Sequence, residues 1–180
     1  MSDQRHVIML GDSLTAAGRW GESFPTLKIR NLGINGDTCA GVWGRLDEVV
    51  RLNPALIFLQ IGINDFLRGA SIDEVVTGHL RIWDELQARL PQTRLLVISL
   101  FPYVEAALPY LPHNLDIMII NGLLQEKASV RGLPFIDLFP GLADEDRQLR
   151  LNYTTDGLHL TDEAYKVWAG GISPFLEAGQ

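Results

Sequence analysis

The 180-residue chain has a single cysteine, Cys39, so it can form no internal disulfide and no cysteine-based zinc site. It has no apolar run near the roughly 20 residues that a membrane-spanning helix requires. The opening "MSDQRHVIML" holds only a short apolar stretch that runs straight into Gly11, whereas a secretory leader needs a longer one and a small-residue cleavage site. The setting expected from this is cytoplasmic and soluble, with no membrane partner. No block of Lys and Arg offsets the formal net charge of −7 (15 basic, 22 acidic residues), which argues against nucleic acid as a partner. A Gly-Lys-Ser or Gly-Lys-Thr run is also missing, which removes the Walker A phosphate loop. There is no repeat and no low-complexity linker.

What is present is an ordinary globular composition, 47% hydrophobic and 21% charged, on a length that suits one domain over residues 1–180. Short apolar runs at 7–10, 27–33, 55–62, 94–101 and 134–138 read as strands. The third and fourth are almost continuously apolar, as strands buried on both faces of a parallel sheet are. Between them, Val42, Leu46, Val49 and Val50 mark one helix face that ends before Asn53-Pro54. Ser71 and Glu74 form a capping-box pattern ahead of Val75, Val76, Leu80, Trp83 and Leu86. Further helices are expected over 114–131 and from about Thr161. Alternating strands and helices predict an α/β fold: a three-layer α/β/α sandwich around a mostly parallel five-stranded sheet. Sites in such sheets lie at the C-terminal ends of the strands.

Four loops fall at that edge. "LGDSLTAAG" puts Ser13 just after the first strand, with Asp12 expected to orient the loop. "NLGINGDTCAGVWGRL" follows the second strand, with Gly33 and Gly36 free to bring backbone N–H groups close to a ligand and Asp37 or Thr38 as a helix cap. "QIGINDF" follows the third and offers the Asn64 side-chain amide, a neutral donor suited to an oxyanion. "TTDGLHL" sets Asp156 three residues before His159. A carboxylate that accepts the Nδ1 proton leaves Nε2 free as a base. Each segment alone also reads as a turn or a cap. Of the other histidines, His6 is expected at the surface or in packing, His79 in solvent on the side of its helix, and His113 in a proline-rich loop that touches substrate.

Together the blocks "GDSLT", "NGDT", "GIND" and "DGLH", in this order from residue 7 to about 169, resemble the SGNH hydrolases, the GDSL esterase and lipase family. The resemblance implies a flavodoxin-like fold and a serine esterase that works through an acyl-enzyme without metal or organic cofactor. It implies Ser13 as nucleophile and Asp156 and His159 as its triad partners. The oxyanion donors would be the backbone N–H groups of Ser13 and Gly36 and the amide of Asn64. Gly36 is preferred to Gly33 because the family's functional glycine precedes an Asp-Thr pair. The Gly-x-Ser-x-Gly elbow of the α/β-hydrolases is absent.

For the substrate, a small-molecule ester is expected, with a short acyl group such as acetyl on a polar or sugar-like alcohol. Segment 102–114 is the one spare element, and Pro102, Pro109 and Pro112 make it a stiff wall rather than a lid. Asp12, Phe101, Tyr103 and His113 are candidate substrate contacts. Phe66, Leu67, Leu108, Tyr110 and Leu111 would add to an apolar groove if the substrate were instead a lysophospholipid or thioester. The same apolar segment would serve a homodimer interface. A small-ligand binding module without catalysis is the remaining reading.

Overall fold

The computed structural model describes residues 6–109 and 113–177. In chain order it holds β1 (Val7–Gly11), α1 (Ser13–Ala16), α2 (Trp20–Ser23), β2 (Ile29–Gly33), α3 (Cys39–Gly44), α4 (Leu46–Leu52) and β3 (Leu56–Gln60). There follow α5 (Ile63–Leu67), α6 (Ile72–Arg89), β4 (Arg94–Ile98), α7 (Asn114–Val130), β5 (Phe135–Ile136), α8 (Phe139–Leu142) and α9 (Asp162–Glu177). The sheet order is β2-β1-β3-β4-β5, and every pairing is parallel, so the expected mostly parallel sheet is wholly so. This is the flavodoxin-like order, whose chain reverses direction across the sheet between β1 and β3.

The strands behave as their sequences demand. β1 and β3 are buried along their whole length. On one sheet face Trp168 of α9 packs edge-on against Trp20 and Phe101, at ring distances of 4.8 and 4.7 Å. On the other, Val75, Ile82, Trp83 and Leu86 of α6 are enclosed. The capping box at Ser71 and Glu74 forms as the sequence predicts, with Ser71 Oγ accepting the Glu74 N–H and Glu74 Oε2 accepting the Ser71 N–H.

Three differences have local causes. The helix expected through 42–50 breaks at Arg45, whose side chain turns inward to Asp37 Oδ2 (2.8 and 2.9 Å) and to the Gly11 carbonyl (3.2 Å). The strand expected over 134–138 shortens to two residues: Ser99 Oγ accepts the Leu138 N–H and Asp137 accepts the Phe139 N–H to start α8. His79 is fully buried rather than solvated, and its Nε2–H donates to the Ile61 carbonyl at 2.9 Å. Burial pushes its imidazole down to about 4, so it stays neutral and supports the turn after β3 from below.

Gly33, at the end of β2, lets this edge pack directly on α1. A methyl group there would run into the backbone of Ala16 and Thr15. Gly33→Ala is therefore expected to cost about 1–3 kcal/mol of stability, since backbone rather than a flexible side chain would have to yield. Equal denaturant midpoints for wild type and variant would contradict this packing.

Candidate active site

Ser13 is the first residue of α1. Asp12 caps that helix by accepting the Leu14 N–H (2.9 Å), and Ser13 Oγ is carried to the sheet edge. From 146 residues further along, His159 brings Nε2 to 3.1 Å from Ser13 Oγ. Its Nδ1 lies 2.6 Å from Asp156 Oδ2, while Asp156 Oδ1 accepts the N–H groups of Leu158 (2.9 Å) and His159 (2.7 Å). Desolvation would raise the Asp156 carboxyl, but the His159 ring and these two backbone donors outweigh it and bring it down to about 2. It is therefore anionic throughout the working range of a protein, as a partner of a proton-accepting imidazole must be.

The turn holding the pair is itself pinned. Thr154 Oγ1 donates to the His159 carbonyl (2.8 Å) and accepts the Gly157 N–H (2.9 Å). Gly157 adopts φ +93°, and its carbonyl accepts the Val104 N–H (2.8 Å). Tyr165 of α9 donates its hydroxyl to the Leu14 carbonyl (2.7 Å), tying the helix that follows His159 to the one that begins with Ser13.

On the opposite side of Ser13, the Ile34 N–H donates to the Gly11 carbonyl (3.0 Å) and anchors the loop after β2. Gly36 in this loop has φ +71°, a conformation that costs glycine nothing. Thr38, rather than Asp37, caps α3. Asn64 Nδ2 donates one hydrogen to the Asp37 carbonyl (3.0 Å), which leaves its second amide hydrogen for another acceptor. Gly62, with φ +115° directly over Val75 and His79, makes the turn that aims Asn64.

The remaining expected contacts lie elsewhere. Phe101 and Tyr103, 2% and 0% exposed, are in the core rather than on a substrate surface: Phe101 packs on Trp168, and the Tyr103 backbone is bracketed by the Asn114 amide. His113 is exposed and faces Glu105 Oε2 at 3.1 Å. Tyr110, Leu111 and Pro112 lie outside the described residues. Asp12 is fully enclosed and touches no surface that a substrate reaches. Two features carried no local sequence signal: the inward Asp37–Arg45 ion pair, and Asp65, which accepts the Cys39 N–H with both carboxylate oxygens.

The sheet order and the placement of these loops define a three-layer α/β/α sandwich of the flavodoxin type. A B. thetaiotaomicron GDSL-like lipase superposes with TM-score 0.88 at 21% identity, covering 100% of this chain and 91% of that one. An acetyl xylan esterase superposes with TM-score 0.81 at 20% identity, covering 95% and 99%. Residues 9–167 match the model of the GDSL-like Lipase/Acylhydrolase family, and the chain belongs to that family of carboxylic ester hydrolases. Among curated relatives, the Gallus gallus platelet-activating factor acetylhydrolase IB subunit alpha2 is 31% identical over 168 residues, 88% of this chain and 70% of that protein. A Streptococcus agalactiae N-acylneuraminate cytidylyltransferase is 30% identical over 170 residues, but the chain spans only 38% of it. Among the described residues, no helix is long and apolar enough to cross a membrane.

Asp12 gives a pH signature. Burial pushes its carboxyl up to about 7, with Asp37 and Asp65 adding to the rise, and the Leu14 N–H and His159 opposing it. The folded protein then keeps a proton that the unfolded chain, near the ordinary 3.8, releases. Stability falls as pH rises from about 4 to 7 and levels above that. Asp12→Asn keeps an oxygen for Leu14 and cannot ionise. It is expected to match wild type at pH 4 and to unfold at higher urea than wild type at pH 8, by at most a few kcal/mol. An offset of the same size at both pH values would contradict the buried, neutral carboxyl.

Proposed function

We propose that the chain is one hydrolase unit that cleaves short-acyl carboxylic esters through an acyl-enzyme on Ser13. The observation that carries this reading is the continuous chain Ser13 Oγ, His159 Nε2, His159 Nδ1, Asp156 Oδ2, with steps of 3.1 and 2.6 Å across the ring. His159 takes the Ser13 proton as Oγ attacks the ester carbonyl, and Asp156 stabilises the imidazolium that results. The negative charge on the former carbonyl oxygen falls to the N–H groups of Ser13 and Gly36 and to the free amide hydrogen of Asn64. His159 returns its proton to the departing alcohol, and water then repeats the sequence on the acyl-enzyme.

The acyl group we propose is acetyl, on a polar alcohol. A long chain needs an apolar groove, because each methylene is worth about 0.8 kcal/mol of solvation. Phe66, Phe101 and Tyr103, which such a groove would draw on, are already enclosed in the core. Two similar proteins carry names that point the same way, an acetylhydrolase and an acetyl xylan esterase.

With p-nitrophenyl esters from acetate to palmitate, kcat/KM should be highest at acetate and fall with length. A steady rise through octanoate would sink the short-acyl reading. Ser13→Ala should lower turnover on the order of 10⁴-fold or more, to what binding and the oxyanion donors leave. Asn64→Ala should lower kcat by roughly 10²–10³. If it raises KM alone, Asn64 is a ground-state contact.

A further inference from the structure

Gly36 and Asn64 come from separate loops, yet two donors to one oxyanion must be held to about half an ångström of their working geometry. Helix α5, which carries Asn64 as its second residue and ends at the capping Arg68, is fastened to the Gly36 loop by three side chains. Asn64 Nδ2 donates to the Asp37 carbonyl at 3.0 Å. Asp65 accepts the Cys39 N–H at 3.0 and 3.1 Å. Arg68, one helical turn beyond Asn64, donates from Nη2 to the Gly36 carbonyl at 2.8 Å. We propose that Asp65 and Arg68 are positioning residues that lock the Gly36 loop onto α5, so that the Gly36 N–H and the Asn64 amide form one preorganised oxyanion site.

Each contact falls where a lock is needed. Gly36 sits at φ +71°, and the peptide that follows it is held at both ends: its N–H, on Asp37, donates to the Ile34 carbonyl at 3.1 Å, and its carbonyl accepts from Arg68. The Arg68 guanidinium closes over that carbonyl, and a Cβ on Gly36 would stand 3.3 Å from Nη2. Asp65 grips the loop's far end, at the first N–H of α3. Burial raises the Asp65 carboxyl, and the Cys39 N–H and the Arg68 charge counter that rise, so the two locking residues also support each other. Loop and helix are thereby held at residues 36, 37 and 39, on both sides of the Asn64 contact. Arg68 itself is exposed and packs in no core, so its loss leaves the fold in place.

This inference rests on the oxyanion reading of Gly36 and Asn64 above, and the test separates the two. Full-length wild type, Arg68→Met, Arg68→Lys and Asp65→Ala are compared for kcat and KM on p-nitrophenyl acetate, for the rate of capture by a fluorophosphonate, and for thermal midpoint. Arg68→Met keeps the stem and removes every donor. It is expected to lower kcat and capture rate together, by roughly tenfold to a hundredfold, with KM nearly unchanged. Arg68→Lys, whose ammonium can still donate to the Gly36 carbonyl, should recover most of that loss. Asp65→Ala should show the same split between kcat and KM, and Arg68→Met should cost much less when Asn64 is already alanine. Unchanged kcat and capture in Arg68→Met, a rise in KM alone, or an equal factor in both Asn64 backgrounds would overturn the lock while wild-type capture upholds the esterase reading. A wild type that neither turns over nor is captured would remove both.

Discussion

The shared direction of the five strands is the constraint on which the rest of the structure depends. Because β1, β2 and β3 run parallel with β1 in the middle, their C-terminal ends open at one edge of the sheet. The loops bearing Ser13, Gly36 and Asn64 are therefore neighbours without any local sequence relation. The reversal of strand order between β1 and β3 leaves a crevice there, and the crevice is where such sheets bind ligands. The turn with Asp156 and His159 reaches it from the far end of the chain, brought in by α9, whose Trp168 and Tyr165 pack and bond against the α1 side of the sheet. A hydrogen bond spanning 146 residues is thus a by-product of burying one helix on one sheet face.

Two carboxyl groups beside one serine are shifted in opposite directions for plain environmental reasons. Asp156 is half exposed and receives two backbone donors and an imidazole, so it stays ionised. Asp12 is enclosed, receives one backbone donor and has an oxygen with no partner, so it holds a proton near neutrality. Environments that push two acids apart in this way divide roles between them. Asp156 can stabilise an imidazolium, and Asp12 shapes the helix start and, while it keeps its proton, adds no second negative charge beside Ser13.

Much of this was legible in the sequence where a feature is local. Strongly apolar runs located β1, β3 and β4, and the Ser71–Glu74 spacing located the start of α6. The blocks around Ser13, Gly36, Asn64 and His159 each read alone as a turn or a cap, and stood out only through their joint order, which resembles that of the SGNH hydrolases. What was not legible depends on pairing at a distance. Nothing near Arg45 says that it will turn inward to Asp37 and break its helix, and nothing near Phe101 or Tyr103 distinguishes a core aromatic from a pocket wall. His79 is different, because a signal was available: it shares the 75, 76, 82, 83, 86 face, so its burial followed from helical spacing once that face was fixed to the sheet.

The central claim is that Ser13 becomes acylated during turnover, and direct capture of that intermediate tests it best. The full chain would be mixed with p-nitrophenyl acetate, quenched in acid within the first turnover, and digested for peptide mapping by mass spectrometry. The expected result is a single acetyl group on the peptide containing Ser13, absent when His159 is replaced by alanine. Rapid ester hydrolysis with an unmodified Ser13 peptide, or with the acetyl group on another residue, would contradict it.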